Sequence, residues 1–124
     1  MIKVENLTKR YADKLAVDNI SFEVQEGEVL GFLGPNGAGK STTMRILTCF
    51  IPATSGFARV AGNDVFTDSL KVREQIGYLP ENVPLYLDMR VNEYLMFRAE
   101  LKKVPRRERR SKIGECLERC GIVD

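Results

Sequence analysis

Ten residues, GPNGAGKSTT at positions 34–43, set glycines, a lysine and hydroxyl side chains in the spacing G-x-x-x-x-G-K-[ST]. The chemistry that needs this pattern is the holding of a phosphate chain. Glycines let the backbone turn sharply, so that successive N–H groups aim inward at phosphate oxygens. Gly34, Pro35, Asn36, Gly37, Ala38 and Gly39 are therefore expected to form a cradle, or P-loop. Lys40 stands where it reaches the β- and γ-phosphates, Ser41 where its hydroxyl ligates Mg²⁺, and Thr42 where it bonds the α-phosphate. A helix opening at Lys40 adds roughly half a positive charge at the same point. Lys40 is expected to face solvent until phosphate arrives. The competing reading is a glycine-rich turn with an incidental lysine, which would need neither a strand before it nor a helix after it.

Both flanks are present. VLGFL (29–33) is a continuous apolar run, as in a strand covered on both faces of a parallel sheet. KSTTMRILTCF reads as helix, with Met44, Leu47 and Thr48 on one face, Ile46 and Phe50 beside it, and Pro52 as its stop. Upstream, IKVENL and NISFEV alternate as half-buried strands, the second with Ile20, Phe22 and Val24 on one side. GFARVAGNDVF reads as a hairpin turning at Gly62–Asn63, SLKVREQ as a brief helix capped by Asp68 or Ser69, and IGYLP (76–80) as a second short strand. Helical patterns follow over about 91–101 and 106–120, separated by Pro105 and closed by Gly121. The expected class is α/β: a phosphate-loop core with a parallel sheet, a small antiparallel β-annex, and the start of a helical subdomain. Residues 1–124 read as part of one domain, with 1–89 as annex and core and 90–124 as the helical start.

Composition narrows the classes. Apolar residues at 44% and charged residues at 29% suit a globular chain, and a net charge of +2 does not demand a polyanionic partner. There is no histidine, and the three cysteines lack metal-site spacing. Cys116 and Cys120 share a helical face but make a poor metal site alone, so buried free thiols in a reducing compartment are expected. No apolar run approaches the roughly 20 residues needed to cross a bilayer, and MIKVENLTKRY lacks the apolar core of a signal peptide, so none is expected. A cytosolic protein is expected, with any membrane crossing left to a partner. KKVPRRERRSK (102–112) carries seven basic residues and one acid. It reads as the exposed start of a helix. Contact with RNA, DNA or anionic lipid is the alternative, although no aromatic side chain is interleaved for base stacking.

The flanking motifs carry a resemblance that covers the whole chain. LTKRY, VDNISFEVQEGEVLGFLGPNGAGKSTTMRIL, PATSG and IGYLPE together resemble the ATP-binding subunits of ABC transporters, most nearly those of multidrug and ABC-2-type exporters. The resemblance implies ATP and Mg²⁺ as cofactors, with Tyr11 stacked on adenine and Val17 near the ribose and adenine. It implies a place on the inner face of the cell membrane, transmembrane permease subunits as partners, and a second ATP-binding domain closing over the nucleotide. Direct nucleic-acid contact is not expected. The family usually has glutamine after YLP, contacting Mg²⁺ and the attacking water; Glu81 stands here, and its carboxylate also offers oxygen to Mg²⁺. With Lys40, Glu81 is the expected catalytic pair. The family's LSGGQ-type signature, the strand ending in Asp before a catalytic Glu, and the switch histidine do not occur among these residues. By this resemblance the stretch is the N-terminal portion of an ATPase and would not turn over ATP alone. The runner-up is an ABC-type ATPase acting on ribosomes or nucleic acid without transport.

Overall fold

The first two strands make a hairpin because their alternating apolar residues fall on one face and a two-residue turn joins them. β1 (Ile2–Tyr11) pairs antiparallel with β2 (Lys14–Val24), with Tyr11 opposite Lys14 and the turn at Ala12–Asp13. The computed structural model describes residues 1–122; residues 123–124, the end of the expected helical part, lie outside the described residues. Each strand of the hairpin carries a bulge at an asparagine, Asn6 at φ 51° and Asn19 at φ 46°. Asparagine tolerates this left-handed backbone better than most side chains. The amide freed by each bulge is satisfied across the hairpin: Asn6 N–H donates to Ser21 Oγ at 2.8 Å, and Asn19 N–H to Thr8 Oγ1 at 3.1 Å.

β3 (Ser55–Val60) pairs with the other edge of β1, and β4 (Asn63–Asp64) with β3, giving the order β2-β1-β3-β4. The last hairpin turns at Ala61–Gly62, one residue earlier than expected, with φ of 49° and 78°. Two successive positive φ values match the right-handed twist of the strands they join. α1 (Lys40–Leu47) and α2 (Ser69–Gln75) pack against this sheet. Ile46, Leu47 and Val72 meet Val4, Leu7, Ala58 and Val60 in one buried cluster. The inward row of α1 is Thr43, Ile46 and Leu47, not the expected row through Met44, which is 39% exposed. α1 also ends before Pro52 acts. Cys49 turns left-handed (φ 61°), and Cys49 and Phe50 N–H cap the carbonyls of Ile46 and Arg45 at 3.0 and 2.8 Å. At α2, Asp68 precedes the helix but does not cap it. Its carboxylate accepts from Lys71 at 2.8 Å, which holds it below the usual carboxylate range.

The ladders among the described residues are all antiparallel. Segments 29–33 and 76–80, expected as strands of a parallel core, form no ladder, and Val29, Leu33 and Leu79 are 96, 94 and 81% exposed. A strand exists only where its N–H and C=O groups meet a neighbour's. No described segment supplies that neighbour.

The chain divides into two compact units, Met1–Tyr78 and the residues from Leu79 onward. In the second, an irregular stretch leads to α3 (Val91–Leu101) and α4 (Arg106–Arg119), bounded much as the caps and Pro105 imply. Arg90 N–H donates to Glu93 Oε2 at 2.8 Å at the start of α3. Gly121 (φ 67°) closes α4, with Gly121 and Ile122 N–H on the carbonyls of Glu118 and Leu117. The Tyr86 ring meets Tyr94 and Phe97 with centroids 6.3 and 5.8 Å apart. The inward row of α4 is Arg109, Ile113 and Leu117, so Cys116 and Cys120 fall on the next row and are exposed, against the expectation of burial. Cys49 is half-buried, and burial pushes its thiol up.

Candidate functional site

The site is built on the entry to α1. Pro35 to Ala38 make a tight turn, with Ala38 N–H donating to Pro35 O at 3.2 Å, and Gly37 takes φ 85°. Gly39 (φ 88°) precedes the helix without any side-chain cap. Only glycine fits there for a second reason. A Cβ at Gly39 would lie 2.3 Å from Ala16 O and 3.2 Å from Val17 Cγ2. Strand β2 thus supports the loop directly, through the Ala16 carbonyl and the Val17 side chain. Val17 itself is 4% exposed.

The first hydrogen bond of α1 runs from Thr43 N–H to Gly39 O at 2.8 Å, and Thr43 Oγ1 donates to the same oxygen at 2.9 Å. The N–H groups of Lys40, Ser41 and Thr42 precede that bond, so they point out of the helix end without an intrahelical acceptor. No acidic residue occupies the first turn to offset the positive end of the helix dipole. Lys40 does not stand in solvent as expected. Its ammonium donates back to Gly34 O and to Pro35 O, the latter at 2.7 Å. The reason is proximity: the loop turns two carbonyls toward a cation that has three donors to satisfy. Lys40 therefore braces the cradle from the inside. Ser41 is exposed and Thr42 half-buried.

These features fit an anion: amides at a helix end, an ammonium laid across the loop, and a glycine, Gly39, where a Cβ would collide with Ala16 O. They also fit Mg²⁺ accompanying a nucleotide. Mg²⁺ keeps several waters and is held mainly by substrate phosphates, so one hydroxyl such as that of Ser41 suffices to place it.

Tyr11 ends β1 and is 42% exposed. Lys9 Nζ sits 5.1 Å from its ring centroid while donating to Pro52 O at 2.7 Å, so the ring is held on one face by a cation that is itself tethered. The register sets Val17 opposite Lys9, on the same hairpin as Tyr11. Glu81 belongs to the second unit, exposed in the stretch before α3. Three contributors were not anticipated. Thr43 was legible, since a hydroxyl four residues after Gly39 in a helix can bond back to its carbonyl. Lys9 was legible too, two residues before Tyr11 and so on the same strand face. Ala16 acts through its carbonyl, and no residue type announces that.

Residues 17–124 match the family model described as ABC transporter. Among curated proteins, the linearmycin resistance ATP-binding protein LnrL of Bacillus subtilis is 36% identical over all of this chain and 40% of its own length. The probable multidrug ABC transporter ATP-binding protein YbhF of Escherichia coli is 37% identical over 98% of this chain and 21% of its own length. This chain thus spans less than half the length of these relatives. Among solved structures, an ATP-binding subunit of an ABC transporter superposes with a TM-score of 0.88 at 24% identity, over 98% of this chain and 51% of that one. A dimeric, post-hydrolysis ATP-binding cassette bound to ADP and Pi gives 0.80 at 27% identity, over 95% of this chain and 56% of that one. The fold is that of an incomplete α/β P-loop domain, and the chain belongs to the ABC transporter family.

Proposed function

We propose that this chain binds ATP and Mg²⁺ through residues 34–42 and that the whole protein hydrolyses ATP to drive transport, in the direction of export, through transmembrane permease subunits. The observation that carries the reading is the uncapped start of α1, where three free amides and the Lys40 ammonium converge on the Gly34–Gly39 loop. In this reading the amides of residues 37–42 orient the phosphates, and Lys40 exchanges its bonds to Gly34 and Pro35 for phosphate oxygens. Ser41 would hold Mg²⁺, whose charge offsets that of the phosphates. Tyr11 takes the adenine on the ring face away from Lys9, and Val17 supports the loop from below. Glu81 is the proposed second Mg²⁺ and water contact, with a second ATP-binding domain closing the site.

Export is favoured by the likeness to a linearmycin resistance ATP-binding protein and a probable multidrug ABC transporter ATP-binding protein. Among the described residues no helix is long and apolar enough to cross a membrane; in this reading the permease partners cross it and this chain works at the cytoplasmic face.

Lys40→Ala tests the reading. Charge-assisted bonds contribute about 1.5–3 kcal/mol, so affinity for a fluorescent ATP analogue should fall on the order of 10- to 100-fold. Thermal unfolding, followed in parallel, reports any loss of loop bracing. Unchanged affinity in a folded variant would remove the assignment.

A further inference from the structure

The charge of this chain is segregated. Residues 102–112 carry seven cations and one anion, a net +6, whereas the whole chain is +2, so the other 113 residues sum to −4. The structure places this charge at the turn between α3 and α4 and over the first turns of α4. That is the wrong end of a helix for cations. The N-terminal dipole disfavours them, and four arginines there also repel one another.

Packing accounts for one of the four. Arg109 is largely covered, donates to Val104 O at 2.9 Å, and pairs with Glu100 at 3.6 Å. Arg106, Arg107 and Arg110 are exposed, and among the described residues their only ion pair is a loose 3.5 Å contact from Arg107, itself 87% exposed, to Glu108. Arg106 and Arg110 also border a cleft of about 560 Å³ with Met96, Glu100 and Arg109. A local rule broken without a structural return marks a functional surface.

The chemistry of the patch distinguishes its ligand. It needs a diffuse anionic surface, because the cations are spread along a helix and a turn: Lys102, Lys103 and Arg107 lie outside the cleft that Arg106 and Arg110 border. It has no aromatic side chain between 102 and 112 for stacking bases. It does have an apolar neighbour, Leu101, 57% exposed at the end of α3 and followed directly by Lys102 and Lys103. Cations beside an exposed leucine suit a lipid headgroup layer, where charge attracts and the apolar side chain enters the acyl boundary.

We propose that the face formed by Leu101, Lys102, Lys103, Arg106, Arg107 and Arg110 docks on an anionic phospholipid surface. It lies wholly in the second unit and needs no nucleotide, so it stands apart from the phosphate-loop reading.

The test is co-sedimentation of the full-length protein, without ATP, with phosphatidylcholine vesicles that contain or lack phosphatidylserine. Binding to the anionic vesicles alone, weakening as salt rises, is expected. Neutralising Arg106, Arg107 and Arg110 together to Gln should weaken it roughly a hundredfold, since each basic residue near such a surface contributes about 1 kcal/mol. The same three changed to Lys should retain it, and Arg119→Gln, at the far end of α4, should leave it unchanged. Equal binding to neutral vesicles, loss in the Lys variant, or displacement from vesicles by an equal charge of single-stranded RNA would each overturn the proposal. Circular dichroism on every variant shows that α3 and α4 are intact.

Discussion

At the scale of single residues, two side chains decide how this chain would recognise a nucleotide, and they do so by different physics. Lys40 contributes charge and reach. Tyr11 contributes a flat apolar face, and that face is what a base needs. Stacking on an aromatic ring contributes about 1–3 kcal/mol, so Tyr11→Ala should weaken ATP binding about 5- to 100-fold, whereas Tyr11→Phe should bind as the native chain does. Isothermal titration decides it, and equal weakening by Phe and Ala would mean the hydroxyl, not the ring, is used. Lys9 over the ring belongs to the same argument, because a tethered cation fixes the ring before the base arrives. The glycine turn and the helix opening at Lys40 were legible in the sequence because they depend on residue type, and the phosphate and Mg²⁺ roles of Lys40 and Ser41 are proposals built on them. The folded-back position of Lys40 was not legible, because it depends on where two carbonyls happen to point.

At the scale of elements, the bulges of the β1–β2 hairpin dictate what can pass beside them. β3 runs against β1 at Asn6, and there Gly56 takes φ 87° with a hypothetical Cβ 2.3 Å from Asn6 O and 2.5 Å from Asn6 C. Gly62 takes a similar φ of 78° in open space. Comparing Ala at the two sites separates backbone strain from collision. Gly62→Ala should cost about 1 kcal/mol, and Gly56→Ala at least 2 kcal/mol more, read from urea unfolding. Equal costs would show that β3 shifts freely past the bulge.

The helices were legible because their ends carry chemistry: glycine before Lys40, Pro105 between α3 and α4, Gly121 after α4. The bulges were not, since an asparagine in a strand pattern gives no sign that its φ will turn positive. Segments 29–33 and 76–80 were misjudged for a related reason. Apolar composition states that a segment should be covered, but pairing belongs to its neighbours.

At the scale of the whole molecule, the buried core is that of the first unit, and it exists to hold a hairpin, a helix and the loop between them in one frame. Val4, Leu7, Ile46 and Val72, each 1% exposed or less, join β1, α1 and α2. Ala16 on β2 then meets Gly39 at the loop. The strongly basic turn is in the other unit, so the nucleotide and lipid proposals rest on separate parts of the chain and can fail separately.

The most direct test of the nucleotide proposal is amide hydrogen exchange across the full-length protein with and without Mg·ATP, read by peptide mass spectrometry. The uncapped N–H groups at the start of α1 should exchange fast when free and slow sharply when phosphate oxygens accept them, with weaker protection at the β1–β2 tip around Tyr11. Protection over residues 37–42 should appear with Mg·ATP and vanish in Lys40→Ala. Tight binding of Mg·ATP that leaves 37–42 exchanging as fast as before would contradict the proposal.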